Sequence, residues 1–574
     1  MKKLFLFIFI LMIVSLFSFP QKYILLFGNP HSHTAFSDGA VNTTPADAYK
    51  YARDIAKLDF HAVTDHAYYF EALYNGEDKF LVMKRMAEEN TTKNFIALAG
   101  FEWTAGSGHI NVYGSKEWTS RNIDTTIEEF YKWLINEKAL AQFNHPISMF
   151  GTFKNFEYYP EADNYLNLVE VGNGNWSKND TITPEMFSNY IVALKKGWHL
   201  GATIGQDNHK ANWGTANDSR TGVWVLSRSK DGLLKAMWNR KTYGTEDKNA
   251  KIWVETDNAE MGDIYYYDKM PGEISLKIEY EDENSLSELK VYTPDKIYEL
   301  SPNGNKINEV VKIKVTSPYF WLFVYFKQMD GDEIVSSPIW YEPENRIRIF
   351  NVPDIKLYRN SENTLNLYFY NTGNNVENSP VKIKINDNIV FEKDLILKPY
   401  EKSLIPLSFK TPDISNAKME IYINNLLWYS KEVNLLNQDT ISVINVEISK
   451  LENSYKVINE INDSSKAIII NAKSINNEEI LKRLLEIAKK KRIGIILDEK
   501  NKYVLSLIPS RFTVTDEKIE NIKVNNIYYN EAWRILYKNK ERGFVLNKNF
   551  VIFPGNPFLN DENLTFVKKL LRIQ

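Results

Sequence analysis

The 574-residue chain predicts a multidomain protein: an α/β barrel, then two all-β modules, then a small C-terminal α/β unit. Three observations predict this. From Tyr23 to about Leu226 short apolar runs alternate with helical segments; near residue 250 the texture changes to strands separated by turn residues; from about Asp439 the helical pattern returns. A chain of this length is expected to divide into about three or four domains.

The elements follow in order. Lys2 and Lys3 precede a charge-free run from Leu4 to Phe19, the layout of a secretory signal over residues 1–20. That run falls short of the ~20 residues needed to span a membrane, so export to a secreted, periplasmic or envelope location is expected. An uncleaved anchor is the alternative, because no clean small-x-small cleavage site follows. In residues 21–255 the apolar runs YILLFGN, LDFHAVTDH, FIALAGFEW, HINVYG, ALAQFNHP, LNLVEVGN, HLGATIGQDNH and TGVWVL read as strands. Thr44 with Pro45, and Thr183 with Pro184, read as helix starts; Thr126 to Glu129 resembles a capping box, and Gly197 reads as a helix stop. Strand and helix repeated this often predict a parallel sheet closed into a barrel, whose C-terminal strand ends converge on one face. Residues 256–342 predict a β-sandwich, 347–437 an immunoglobulin-like β module, and 438–574 a small α/β domain with strands KAIIINA, IGIILDE and FVIFPG and helix NEEILKRLLEIAKKK.

Composition excludes some functions. A net charge of −3 with 25% charged residues gives no electrostatic case for nucleic acid or an anionic membrane surface. With no cysteine, disulfides and thiolate ligands are excluded. Aromatic residues spread through the β modules suggest contact with glycan or the cell envelope.

The chemistry sits in short motifs at the ends of apolar runs: His31, His33 and Asp38 in NPHSHTAFSDG, His66 in VTDH, Glu102 in GFEWT, His109 in GHINVYG, His145 in FNHP, and Asp207 with His209 in GQDNH. In an extended segment residues two apart share a face, so His31 and His33 can reach one ion, as can Asp207 and His209. Nine nitrogen and oxygen donors without sulfur suit zinc, manganese or iron and exceed what one ion can use, so two or three divalent ions are implied. His61, inside a strand, and His199 are read as structural. Asp65 is expected to orient an imidazole or close a turn, and Arg220 and Lys210 to grip an anionic substrate.

In this order the motifs resemble the PHP (polymerase and histidinol phosphatase) domain, over residues 27 to 255. The spacing of GFEW and GHINVYG, and RTGVWVL followed by LLKAMWNRKTYGT, are most similar to its exported, carbaryl-hydrolase-like branch. The resemblance implies a distorted seven-stranded β/α barrel. It implies one ion held by His31, His33, Glu102 and Asp207, a second held by Glu102 with His109 and His145, and a third held by Asp38, His66 and His209. It further implies hydrolysis of a small phosphate ester by a metal-bound hydroxide, with Glu102 and Asp207 central and Arg220 assisting. Ester, carbamate or amide hydrolysis at the same centre is the alternative reading, and a non-catalytic surface-binding protein is a third.

Overall fold

The computed structural model describes residues 19–20, 22–174 and 181–436, and beyond these the backbone of seven strands. The first 245 residues contain β1 (Ile24–Asn29), β2 (Phe60–Val63), β3 (Ile96–Ala105), β4 (Gly108–Tyr113), β5 (Leu140–Asn144), β6 (Leu166–Asn173), β7 (Gly201–Gly205), β8 (Arg220–Val225) and β9 (Thr242–Thr245). Among them run α1 (Pro45–Asp54), α2 (Lys79–Asn90), α3 (Ile127–Glu137), α4 (Pro184–Lys195) and α5 (Lys230–Trp238). The caps explain where these helices start. Thr183 accepts from the Met186 N–H at 3.2 Å ahead of Pro184, and Thr126 and Glu129 cap each other reciprocally, contributing about 0.5–2 kcal/mol apiece.

The strand order is β9-β8-β1-β2-β3-β4-β5-β6-β7. β1 to β3 pair in parallel, as do β5 to β7, but β4 is antiparallel to both its neighbours and β8 to both of its own. The expected all-parallel sheet is therefore corrected at β4 and β8. For β4 the reason is short: only Gly106 and Ser107 separate it from β3, and so brief a link makes a hairpin. The sheet curls until β7 meets β8. There the Ile204 N–H donates to Thr221 Oγ1 at 2.9 Å and the Thr221 hydroxyl donates to the Ile204 carbonyl at 2.9 Å, so one threonine side chain ties the edge strand β7 to β8.

The next strands are β10 (Lys251–Thr256), β11 (Ile264–Tyr267), β12 (Glu273–Glu281), β13 (Leu286–Tyr292), β14 (Ile297–Leu300), β15 (Lys306–Lys314), β16 (Phe320–Gln328), β17 (Glu333–Ser336) and β18 (Ile339–Pro343). β10, β12 and β15 form one antiparallel sheet. The other sheet is no separate body, because β17 pairs with β9 and continues the curled sheet of the α/β unit. No break between independent sheets falls at residue 255. Trp253, Trp321 and Trp340 fill the interior, so these rings give the expected glycan contact no support.

From Ile347 to Leu436 a three-stranded and a five-stranded sheet enclose a core of alternating apolar residues such as Leu365, Leu367 and Phe369. The module docks through Phe350, whose ring lies 5.0 Å from those of Tyr158 and Tyr319. Gly197 makes room: its φ is +107°, and a Cβ there would come within 2.6 Å of the Phe350 ring. In the C-terminal unit the strands Ser442–Val446, Ile468–Ala472, Ile493–Leu497 and Phe550–Pro554 pair in parallel. The helix expected at NEEILKRLLEIAKKK and the expected signal up to residue 18 lie outside the described residues. Among the described residues no helix is long and apolar enough to cross a membrane.

Candidate metal centre

All nine donors predicted from the motifs meet at one end of the curled sheet. His31, His33 and Asp38 follow β1, His66 follows β2, Glu102 on β3 and His109 on β4 are diagonal neighbours across the hairpin, His145 follows β5, and Asp207 and His209 follow β7. Two backbone bonds zip the first and last of these loops together: the His33 N–H donates to the Asn208 carbonyl at 3.0 Å and the Asp207 N–H to the His31 carbonyl at 2.9 Å.

Glu102 is fully buried at the middle. Its carboxylate lies 2.7 Å from His66 Nδ1, 3.3 Å from His109 Nδ1, 3.4 Å from His145 Nε2 and 3.5 Å from His31 Nε2. Asp207 Oδ1 is 2.9 Å from His33 Nε2 and 3.4 Å from His31 Nε2, while Asp38 reaches His66 and His209 at 3.5 and 3.4 Å. Most telling is the pair His31 Nε2 and His33 Nε2, 3.2 Å apart. Two nitrogens bound to one tetrahedral ion at ~2.0–2.1 Å would sit about 3.3–3.4 Å from each other, so this pair has the spacing of two ligands on one ion. Four overlapping groups emerge: His33, Asp38, His66 and His209; His31, His33 and Glu102; His31, His145 and Asp207; Glu102, His109 and His145. Glu102, common to two groups, is placed to bridge.

Electrostatics follow from this crowding. Burial pushes the Glu102 carboxyl up, but His66, His109 and His31 outweigh it and hold its pKa well below the usual carboxylate range. Burial acts downward on His66, and Glu102 and Asp38 reverse it, lifting the imidazole to about 10. Against the same downward pull, Asp207, Glu170 and Glu102 raise His31 well above its ordinary value. His33 goes the other way, to about 4, through burial and the nearby His66 charge. Protons thus occupy the places where cations would bind, and metal and proton must compete.

Two donors sit on strained backbone. His145 has φ +26° and Asp207 φ +48°, a region that costs of order 1–3 kcal/mol for a residue with a side chain. Glu170 stabilises the first, accepting from the His145 N–H at 2.7 Å, while its other oxygen lies 2.9 Å from His31 Nδ1 and so fixes that ring. Asn173 donates to the same carboxylate at 2.7 Å. Sequence reasoning missed Glu170. Its signal was a lone acid in the otherwise apolar run LNLVEVGN. Asp65 accepts from the Thr34 N–H, the Thr34 hydroxyl and the Ser37 hydroxyl at 2.7, 2.6 and 2.5 Å, closing the turn that carries His33 and Asp38.

The remaining expectations divide. Lys210 stands at the mouth of a cavity of about 530 Å3 beside the donors, whose wall includes Phe150 and Asn212. Arg220, expected to grip substrate, is corrected: its buried guanidinium donates to the carbonyls of Ser219, Gly214 and Asn217 at 2.7, 2.9 and 3.2 Å and is no part of that wall. The side chain folds back to hold the loop before β8. His61 is buried inside β2 with Nε2 2.9 Å from the Ser32 hydroxyl. His199 sits far from the donors, between Asp163 and Glu342.

No family model matches the chain, and no curated protein matches it. Among solved structures it is similar to a two-domain protein from Bacteroides vulgatus containing a predicted PHP-like metal-dependent phosphoesterase, at 17% identity over 72% of this chain and 96% of that one, TM-score 0.31. It is also similar to the lesion-specific endonuclease EndoQ from Pyrococcus furiosus, at 13% identity over 38% of this chain and 56% of that one, TM-score 0.26. Fibronectin(III)-like modules of CbhA from Clostridium thermocellum match at 12% identity over 32% of this chain and 93% of theirs, TM-score 0.13. At these scores nothing about the chemistry of this chain follows from the likenesses.

Proposed function

We propose that the chain is an exported metal-dependent hydrolase acting on a small phosphate ester at a centre of two or three divalent ions. The observation that carries this is the convergence of nine nitrogen and oxygen donors, several at the spacing of ligands on a shared ion, beside an open cavity of about 530 Å3. Divalent ions bound there would acidify a water, polarise the phosphorus–oxygen bond and offset charge on the entering and leaving oxygens. The chain's own part is placement. Glu170 locks the His31 ring and the His145 backbone, Asp65 locks the loop of His33 and Asp38, and Glu102 supplies one carboxylate to two donor groups. Phe150 packs its ring 4.8 Å from that of His145 and gives the cavity an apolar wall, while Lys210 brings positive charge to the mouth where an anionic ester enters. Export rests on the Lys2, Lys3 and Leu4–Phe19 pattern alone.

The test is metal stripping and reconstitution of the purified full chain with zinc, manganese or iron, followed by phosphomonoesters and carboxylic esters as parallel substrates. Turnover of phosphomonoesters that vanishes on chelation and returns with metal is expected. Turnover confined to carboxylic esters would overturn the substrate class, and activity in a verified metal-free chain would overturn the mechanism.

A further inference from the structure

A second cavity, of about 180 Å3, lies where the α/β unit, the first β unit and the second β module meet. It is at the opposite end of the strands from the metal centre. Asn167 opens β6 and His199 precedes β7, whereas Glu170, later in β6, supports the donor His31, and the donor Asp207 follows β7. Arg240 after α5, Tyr266 on β11 and Arg346 ahead of the second module complete the polar wall.

The charge in this wall is unbalanced. Asp163 and Glu342 each lie 2.5 Å from one nitrogen of His199, and Arg348 adds a 3.1 Å pair to Glu342. Burial acts downward on His199, but the two carboxylates lift it to about 9, so these four groups offset one another. Arg240 and Arg346 are left over. Arg240 donates Nε–H to the Gly262 carbonyl at 3.0 Å, and Arg346 stacks 3.9 Å above the Tyr266 ring; among the described residues neither forms an ion pair with a carboxylate. Burial pushes the Arg240 pKa below its ordinary value, the mark of a cation held at a desolvation cost. At Arg346 burial also acts downward, but Tyr266 and Glu342 outweigh it and raise the pKa, so only Arg240 carries that cost. Both guanidiniums line one small cavity, and two cations there call for an anion.

The shape and the remaining polar atom say which anion. Asn167 is 2% exposed, and its Oδ1 has no hydrogen-bond partner. A carboxylate has no proton to give that oxygen, whereas a hydrogen phosphate carries one P–OH donor along with oxygens that accept from two guanidiniums. At ~30 Å3 per water the cavity holds about six water-sized groups, room for a phosphate and little more. We propose that this junction cavity is a binding site for inorganic phosphate or a compact phosphomonoester, gripped by Arg240 and Arg346 and hydrogen-bonded to Asn167, separate from the metal centre.

Titration calorimetry on the metal-stripped full chain tests this, with inorganic phosphate as probe and acetate as comparison anion. Stripping removes the ions that would draw phosphate to the metal centre, and His33→Ala reports any phosphate still taken up there by its protonated imidazoles. Binding of one phosphate per chain is expected, at least tenfold weaker in Arg240→Met and in Arg346→Met, and unchanged in His33→Ala; acetate should bind at least tenfold more weakly than phosphate. Should circular dichroism show either arginine variant misfolded, Asn167→Ala reads the same loss. Failure of the stripped chain to bind phosphate, binding lost in His33→Ala but kept in the arginine variants, or equal affinity for acetate would overturn the proposal. Because no step depends on turnover, it can fail while the hydrolase reading stands, and the reverse.

Discussion

The chain builds two clusters from histidine and carboxylate, at opposite ends of the same strands, and they are constructed in opposite ways. At the module junction His199 has a carboxylate 2.5 Å from each nitrogen, and Arg348 completes the charge. Every ring nitrogen has its partner. At the other end the rings crowd each other, His31 and His33 meeting nitrogen to nitrogen at 3.2 Å, and five imidazoles reach for the single carboxylate of Glu102. What separates a fastening from a ligand set is therefore a surplus of donors aimed at a common point, rather than residue type or burial.

Breaking one carboxylate in each cluster should give the largest contrast. Glu102→Gln is expected to lose at least one bound ion and about a hundredfold or more of turnover, read by elemental analysis and initial rates, because it removes an anionic ligand common to two donor groups. Glu342→Gln should keep its metal and its turnover but lose about 3–5 kcal/mol in denaturant unfolding, the cost of leaving buried partners without their counter-charge. Equal metal loss in both variants would erase the distinction. Next, Glu170→Gln should weaken metal binding by about 10–100-fold while leaving the fold intact, because it frees the His31 ring without removing a donor.

Titration sharpens the comparison further. With His66 near 10 and His31 raised, the metal-free centre holds protons at neutral pH, so metal loading should release protons and tighten as pH rises. Calorimetry in buffers of different ionisation enthalpy reads the protons directly; a loading that releases none would contradict the arrangement. At the junction the dependence runs the other way. His199 stands at about 9, above its unfolded value of ~6.5, so its stabilisation is complete below ~6.5 and fades as pH climbs through 9. The melting-temperature gap between the wild type and His199→Asn should accordingly be wide at pH 6 and at most half as wide at pH 10. The smallest effect is expected from Lys210→Ala, a rise in KM of about two- to fivefold with kcat unchanged, since an exposed charge at the cavity mouth is screened by water.

The donor cluster was legible because its spacing carries geometry. His-x-His puts two donors on one side of an extended segment, and repeated strands and helices brought the motif ends together. Asp207 and His209, expected to reach one ion in the same way, instead join different donor groups, because Asp207 turns into the left-handed region at φ +48°. Glu170 was not, because a single acid in an apolar strand has no local pattern, and its role appears only when His31 from 139 residues away lies against it. Arg220 was misread for a related reason: position next to a strand says nothing about where a long side chain folds, and here the nearest unsatisfied carbonyls were its own loop's. The β4 hairpin was readable in principle from its two-residue link. Pairing of β9 with β17 was not, since nothing in either short segment names a partner some ninety residues away.

That pairing has a thermodynamic consequence. A β-ladder that crosses from the α/β unit into the first β unit leaves no seam at which either can come loose while the other stays folded; opening one strips the edge of the other. The two should melt in a single calorimetric transition, with matching hydrogen-exchange protection in β8 and β16, whereas the second β module, tied on by Phe350 and Arg348, has its own core and can open in a step of its own.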